Sequence, residues 1–177
     1  PLFRSLGDRV HTADTLTSLA HFGMMTPETD RSQIQQWLQE SLVAFREVGD
    51  LPGPIFALHQ QGLLAVADGA YDAAAHQYEE ALTLARALGQ KPEIAWGLGL
   101  LGEAYWLQGD LESALACWQE AHHHFLALGS REAAAITQHH LGQVARRQGN
   151  LDRATTLYTE SLAAHQTAGD QDMIARC

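Results

Sequence analysis

Residues 95–121 read AWGLGLLGEAYWLQGDLESALACWQEA, and the rest of the chain consists of imperfect copies of this stretch. Gly62, Gly102 and Gly142 share one register at an interval of forty residues, as do Gly69, Gly109 and Gly149. Gly49, Gly89, Gly129 and Gly169 form a third series at the same interval. A fixed period of this length is the mark of stacked helical repeats. In the quoted copy Leu98, Leu100, Leu101 and Tyr105 recur at helical spacing, the tripeptide QGD interrupts them, and Leu111, Ala114, Leu115, Trp118 and Leu126 resume the pattern. Each copy therefore reads as two helices joined by a tight turn at Gly109 or its equivalents. Asp110 can cap the second helix by accepting from its free N–H groups, and Asn150 does the same one copy later. Gly89, Gly129 and Gly169 fall just past each second helix, where glycine reaches the left-handed conformation at least cost.

Working outward, the units run over about 50–88, 90–128 and 130–168, with a degenerate one over 8–48. In the degenerate unit Ala20 takes the glycine register, and two extra residues fall in MTPETDRS, residues 25–32. Pro27 favours an extended approach and Thr29 or Asp30 can cap the next helix, so the insertion lengthens a turn without breaking the stack. Pro52 and Pro54 set a late helix start in the second unit. Partial repeats at 1–7, where Leu2, Leu6 and Gly7 match Leu84, Leu88 and Gly89, and at 170–177 suggest an excised piece of a longer stack. Over 1–177 the expectation is one continuous all-α domain, a right-handed superhelical solenoid of antiparallel helix pairs.

Composition narrows the function. A net charge of −10, with Lys91 the only lysine, argues against nucleic-acid binding, which needs clustered cations to displace counterions. Cys117 and Cys177 imply no disulfide framework, and Cys117 has the register of a buried, inert thiol. No signal peptide is visible, and the longest apolar run, 94–101, is too short to span a bilayer, so a cytoplasmic location is expected. The sole lysine is followed by Pro92, which rules out a P-loop, and no nucleophile elbow or Cys-x-x-Cys is present. No enzymatic role and no cofactor are expected.

The residues Leu98, Leu101, Gly102, Tyr105, Ala114 and Trp118 resemble the signature of the tetratricopeptide repeat, as do Leu58, Gln61, Gly62, Ala65, Ala74 and Tyr78, and Gln138, Leu141, Gly142, Ala145, Ala154 and Tyr158. Small residues at Gly102 and Ala114 would let paired helices approach while the aromatic fills the space beside them. The usual repeat has about 34 residues, so the forty-residue form carries about a turn and a half more, and its usual Trp is replaced by Leu98, Leu58 or Gln138. The form is similar to repeats of large bacterial signal-transduction ATPases and transcription regulators, and of the kinesin light chain group. The resemblance implies a regulatory or scaffolding module beside an effector domain.

In such a stack the first helices line a concave groove. A stripe of three, four, three spacing gives Phe56, His59, Leu63 and Val66, then Trp96, Gly99, Glu103 and Trp106, then Ile136, His139, Gln143 and Arg146. The degenerate unit contributes Asp14, Thr17, His21 and Met24. This stripe is unusually apolar, and Phe56, Trp96, Trp106 and Ile136 are not required by the packing signature, so it reads as a groove for a peptide from a partner protein, with Glu103 and Arg146 fixing orientation. The competing reading makes the same residues ordinary core. His122, His123 and His124 point apart along one helix and cannot share an ion. Glu120 with His124 is an incomplete pair, so no metal site is expected. His59 and His139 lie two repeats apart and cannot cooperate on one ion, and Arg146 with Arg147 reads as a solvated edge. The expected function is binding of a protein or peptide partner, with no nucleic acid and no membrane. The alternatives are self-association through exposed ends, giving a homo-oligomer, or effector sensing coupled to an ATPase or DNA-binding domain.

Overall fold

The computed structural model describes residues 9–168, so the partial repeats expected at 1–7 and 170–177, and Gly169, lie outside the described residues. Within it are eight helices and no strand: α1 (Arg9–Met25), α2 (Arg31–Val48), α3 (Gly53–Ala67), α4 (Tyr71–Leu88), α5 (Lys91–Gln108), α6 (Leu111–Ala127), α7 (Arg131–Arg147) and α8 (Leu151–Ala168). Their ends follow from local chemistry. Asp30 sits in an extended conformation and accepts from the Ser32 amide at 3.2 Å, Asp110 Oδ1 accepts from the Ser113 amide at 3.1 Å, and Asn150 Oδ1 from the Arg153 amide at 3.2 Å. Hydrogen bonds from the Ser113 side chain and backbone hold the Asp110 carboxyl below its ordinary range, and Ser32 does the same for Asp30. Helices α2 and α4 stop at Gly49 and Gly89, both left-handed with φ of 69° and 66°.

Two compact units divide between Glu93 and Ile94, near the start of α5. In the first, α1 packs on α2, α3 on α4, and α3 also on α1 and α2. In the second, α6 packs on α7 and α7 on α8. The second helix of each pair buries one stripe: Ala74, Tyr78, Ala81 and Ala85 in α4, and Ala114, Trp118, Ala121 and Phe125 in α6. Helices α3 and α7 bury wider arcs, with residues 54, 55, 57–60, 62 and 64 all buried in α3, because each packs on helices on more than one side, whereas α1 buries only Ala13, Thr17, Ala20 and Gly23.

Close approach within the last three pairs rests on the glycine register. A Cβ at Gly62 would overlap the Tyr78 ring, one at Gly102 would lie 2.6 Å from Trp118 Nε1, and one at Gly142 2.7 Å from Tyr158 Cε1. The expectation that small residues admit the aromatic of the partner helix is met in all three pairs. In the degenerate first pair Ala20 instead packs with Ile34, Leu38 and Leu64.

Candidate functional site

The stripe residues take several different environments. On α3, Phe56 is 48% exposed and tilts against His21, with ring centres 5.9 Å apart. His59 is buried, with its ring edge on Tyr78 at 6.2 Å, and its Nε2 has no hydrogen-bond partner. Burial pushes its pKa down to about 4, so the imidazole is neutral. His59 therefore belongs to the packed interior, a correction to its placement along an open stripe. Leu63 and Val66 are half-buried. On α1, Asp14 is exposed, whereas Thr17 is buried with its hydroxyl 2.6 Å from Ser41 Oγ.

In the second unit Trp96 is 55% exposed, with its ring nearly perpendicular to Phe125 at 5.5 Å. Trp106 is only half-buried, but it packs against the core around Trp118 and the Arg147 guanidinium lies 5.0 Å over its ring. Arg147 is thus more than a solvated edge, while Glu103 and Arg146 are exposed. Gln143 bridges two histidines: its amide nitrogen lies 3.1 Å from His139 Nε2 and its oxygen 3.2 Å from His140 Nδ1. Because an amide nitrogen only donates and its oxygen only accepts, His139 Nε2 accepts and His140 Nδ1 carries a proton. Ile136 and His139 are half-buried, the latter tilted against Tyr158 at 5.2 Å.

Two recesses collect part of the stripe, one in each unit. In the first unit a recess of about 410 Å³ between α1, the α1–α2 turn, the start of α2 and α3 gathers His21, Met24 and Leu63. In the second unit one of about 120 Å³ gathers Trp96, Gly99, Glu103 and Ile136. The stripe missed Gln60, Leu64 and Ala67 of the first, and Leu100 and His140 of the second, each one residue past a stripe position. An apolar helix face is about 100° wide, so the adjacent row was the available signal. Phe125 and Trp118, on the second helix, were not reachable by that spacing. Trp118 lies flat on His140 at 4.6 Å and donates to the Gly99 carbonyl at 3.1 Å.

Cys117 is half-buried rather than buried, because its row flanks the Trp118 stripe. His122 is held as a packing residue, with Nδ1 2.9 Å from the Ala134 carbonyl and 3.1 Å from Thr137 Oγ1. Glu120 and His124 approach to 3.8 Å, and among the described residues no group of three or more metal-ligating side chains comes together.

The family model described as Tetratricopeptide repeat matches residues 93–167. The match covers less than half of the chain. The stripe positions Trp96, Glu103, Trp106, Ile136, His139, Gln143 and Arg146 fall inside the matched residues, whereas Phe56, His59, Leu63 and Val66 precede them. None of the curated proteins matches the sequence. Among solved structures, aspartyl phosphate phosphatase F from Bacillus subtilis is similar with a TM-score of 0.86 at 16% identity, over 96% of this chain and 44% of that one. A Signal Transduction ATPase with Numerous Domains (STAND) protein with a tetratricopeptide repeat sensor, from Pyrococcus horikoshii, is similar with a TM-score of 0.82 at 15% identity, over 96% of this chain and 25% of that one. BtubC (BKLC) from P. vanneervenii gives 0.55 at 17% identity, over 98% of this chain and 88% of that one. At these identities the likeness is one of fold: an all-helical repeat fold built from helix pairs. The chain spans less than half the length of the first two proteins. No helix among the described residues is long and apolar enough to cross a membrane.

Proposed function

We propose that this chain is a protein-interaction module, within a larger regulatory protein, that receives a segment of a partner protein on the first-helix face of its second unit, through Trp96, Glu103, Trp106, Ile136, His139, Gln143 and Arg146, while Phe56, Leu63 and Val66 offer a like face within the first unit. The observation that supports it most is an exposed Trp96 beside a recess of about 120 Å³ with the Glu103 carboxylate among its lining residues. That volume suits one side chain and falls below the roughly 300–1,000 Å³ of small-molecule pockets. Exposed aromatics beside such a recess act as anchors, and tetratricopeptide repeats bind protein partners. His59 is left out of this surface because it is buried. A non-catalytic role, a place outside membranes and a regulatory setting akin to the STAND protein with its repeat sensor belong to the same proposal.

Capture of cross-linked partners from the source lysate tests the reading. A partner held by the parent chain should be lost by Trp96→Glu and kept by Leu126→Glu, a control at an equally exposed apolar position on α6. Circular dichroism establishes that both variants stay folded. Equal capture by parent and Trp96→Glu would remove the first-helix face from recognition.

A further inference from the structure

The larger recess, in the first unit, has a different character from the side-chain-sized one. At about 410 Å³ it lies within the roughly 300–1,000 Å³ range of small-molecule sites. It exists because the first unit departs from the others. The turn between α1 and α2 has five residues, 26–30, where α3 and α4 are joined by three, 68–70, and Thr26, Pro27 and Thr29 of the longer turn form part of the wall. Gly23 lets that turn fold back against α1, since a Cβ there would come within 3.1 Å of Thr29 Cγ2 and 3.2 Å of Ile34 Cγ1. The apolar wall includes Met24, Met25, Ile34, Leu63 and Leu64, with Met25 67% exposed. Methionine is unbranched and polarizable and adapts to irregular apolar shapes.

The polar groups at this recess include Thr26, Thr29 and Gln60, which carry no charge. Arg31 is the one charged residue among its described lining residues, in a chain whose acids outnumber its Lys and Arg by 21 to 11. It gives Nη1 to Asp68, which leaves the other two nitrogens of its fork. His21 Nδ1 lies 2.9 Å from Oε1 of the buried Gln60, so that nitrogen donates and Nε2 is the ring's remaining polar atom. No carboxylate is among the described lining residues, and an entering carboxylate would share Arg31 with Asp68, which lies just outside them.

We infer that this recess is a binding site for a small organic carboxylate with a compact apolar body, its head on Arg31 and its body against Met24, Met25 and Leu63. The site shares Leu63 with the peptide surface proposed above, but its head group on Arg31 and its readout at Met24 and Met25 do not involve Trp96, so the failure of either leaves the other standing.

The test titrates 3-phenylpropanoate into the full chain carrying ¹³C-methyl methionine, with 3-phenylpropanamide and 3-phenylpropylamine as neutral and cationic counterparts. The acid should move the methyl signals of Met24 and Met25, assigned by Met→Leu substitution, and bind about tenfold more tightly than the amide, as a charge-assisted pair requires. Arg31→Gln should weaken the acid about tenfold and leave the amide unchanged, while Asp68→Asn, which releases Arg31, should tighten the acid about threefold. A merely structural role for the ion pair would make both substitutions act in the same direction, and that result overturns the assignment. So does equal binding of the three probes, or silence of both methyl signals up to about 10 mM of the acid. Acetyl-Ala-Ala-Phe carries the same ring and carboxylate at the end of a peptide. Binding no tighter than the free acid supports a small-molecule site, and tighter binding reassigns the recess to a protein terminus.

Discussion

His59 shows how a single side chain changes meaning once its surroundings are known. The stripe spacing set it on an open face, yet it is buried against Tyr78 with Nε2 unpartnered, and burial depresses its pKa to about 4. Because the unfolded chain has the ordinary value of 6.5, it takes up a proton between pH 6.5 and 4 that the folded chain refuses. The stabilisation is complete above pH 6.5 and lost as pH falls to about 4, and the full shift corresponds to about 3 kcal/mol. Urea unfolding at pH 7, 5.5 and 4 should show His59→Leu losing much less stability than the parent over that interval. Parallel pH profiles would mean that His59 is solvated. The Asp110 and Asp30 carboxylates act in a lower window, since their depressed values keep stability until pH falls below the ordinary carboxylate pKa of 3.8.

Within an element, two glycines three residues apart on α5 should behave in opposite ways. Gly102 faces Trp118 so closely that an added methyl must displace the indole, whereas an added Cβ at Gly99 meets no heavy atom within 4 Å. Gly102→Ala should destabilise the chain by about 1–3 kcal/mol through overpacking. Gly99→Ala should be neutral or stabilise it by up to about 1 kcal/mol, because alanine gives up less backbone freedom in a helix. Thermal and urea unfolding of the two variants measure the difference, and a loss at both positions would show that helix propensity does not govern Gly99. The glycine register was legible in the sequence because it repeats, and the caps Asp30, Asp110 and Asn150 were legible because each bonds within its own first turn. The Gly99 carbonyl's bond from Trp118 was not, since it joins residues on two helices.

For the whole molecule, repeat chains are stabilised mainly by contacts between neighbours, and they open in local cooperative units. Trp118 is buried between α5 and α6 and stacks on α7 through His140. Trp118→Ala should cost about 3–5 kcal/mol. Hydrogen exchange should then accelerate in α5 to α8 while α1 to α4 keep their protection. Uniform acceleration over all eight helices would mean that the chain unfolds as one cooperative unit. The sequence by itself determined the number of helix pairs, their ends and the small-to-aromatic contact inside the last three pairs, because these depend on residues within one forty-residue period. Only the tertiary structure decided that His59 is interior, that Trp106 lies under Arg147, and that the longer first turn walls a recess with Gln60 and Arg31. The reason is physical: a helix fixes the direction in which a side chain leaves the backbone, but whether it meets water, a ring or a carboxamide depends on the neighbouring helices packed beside it.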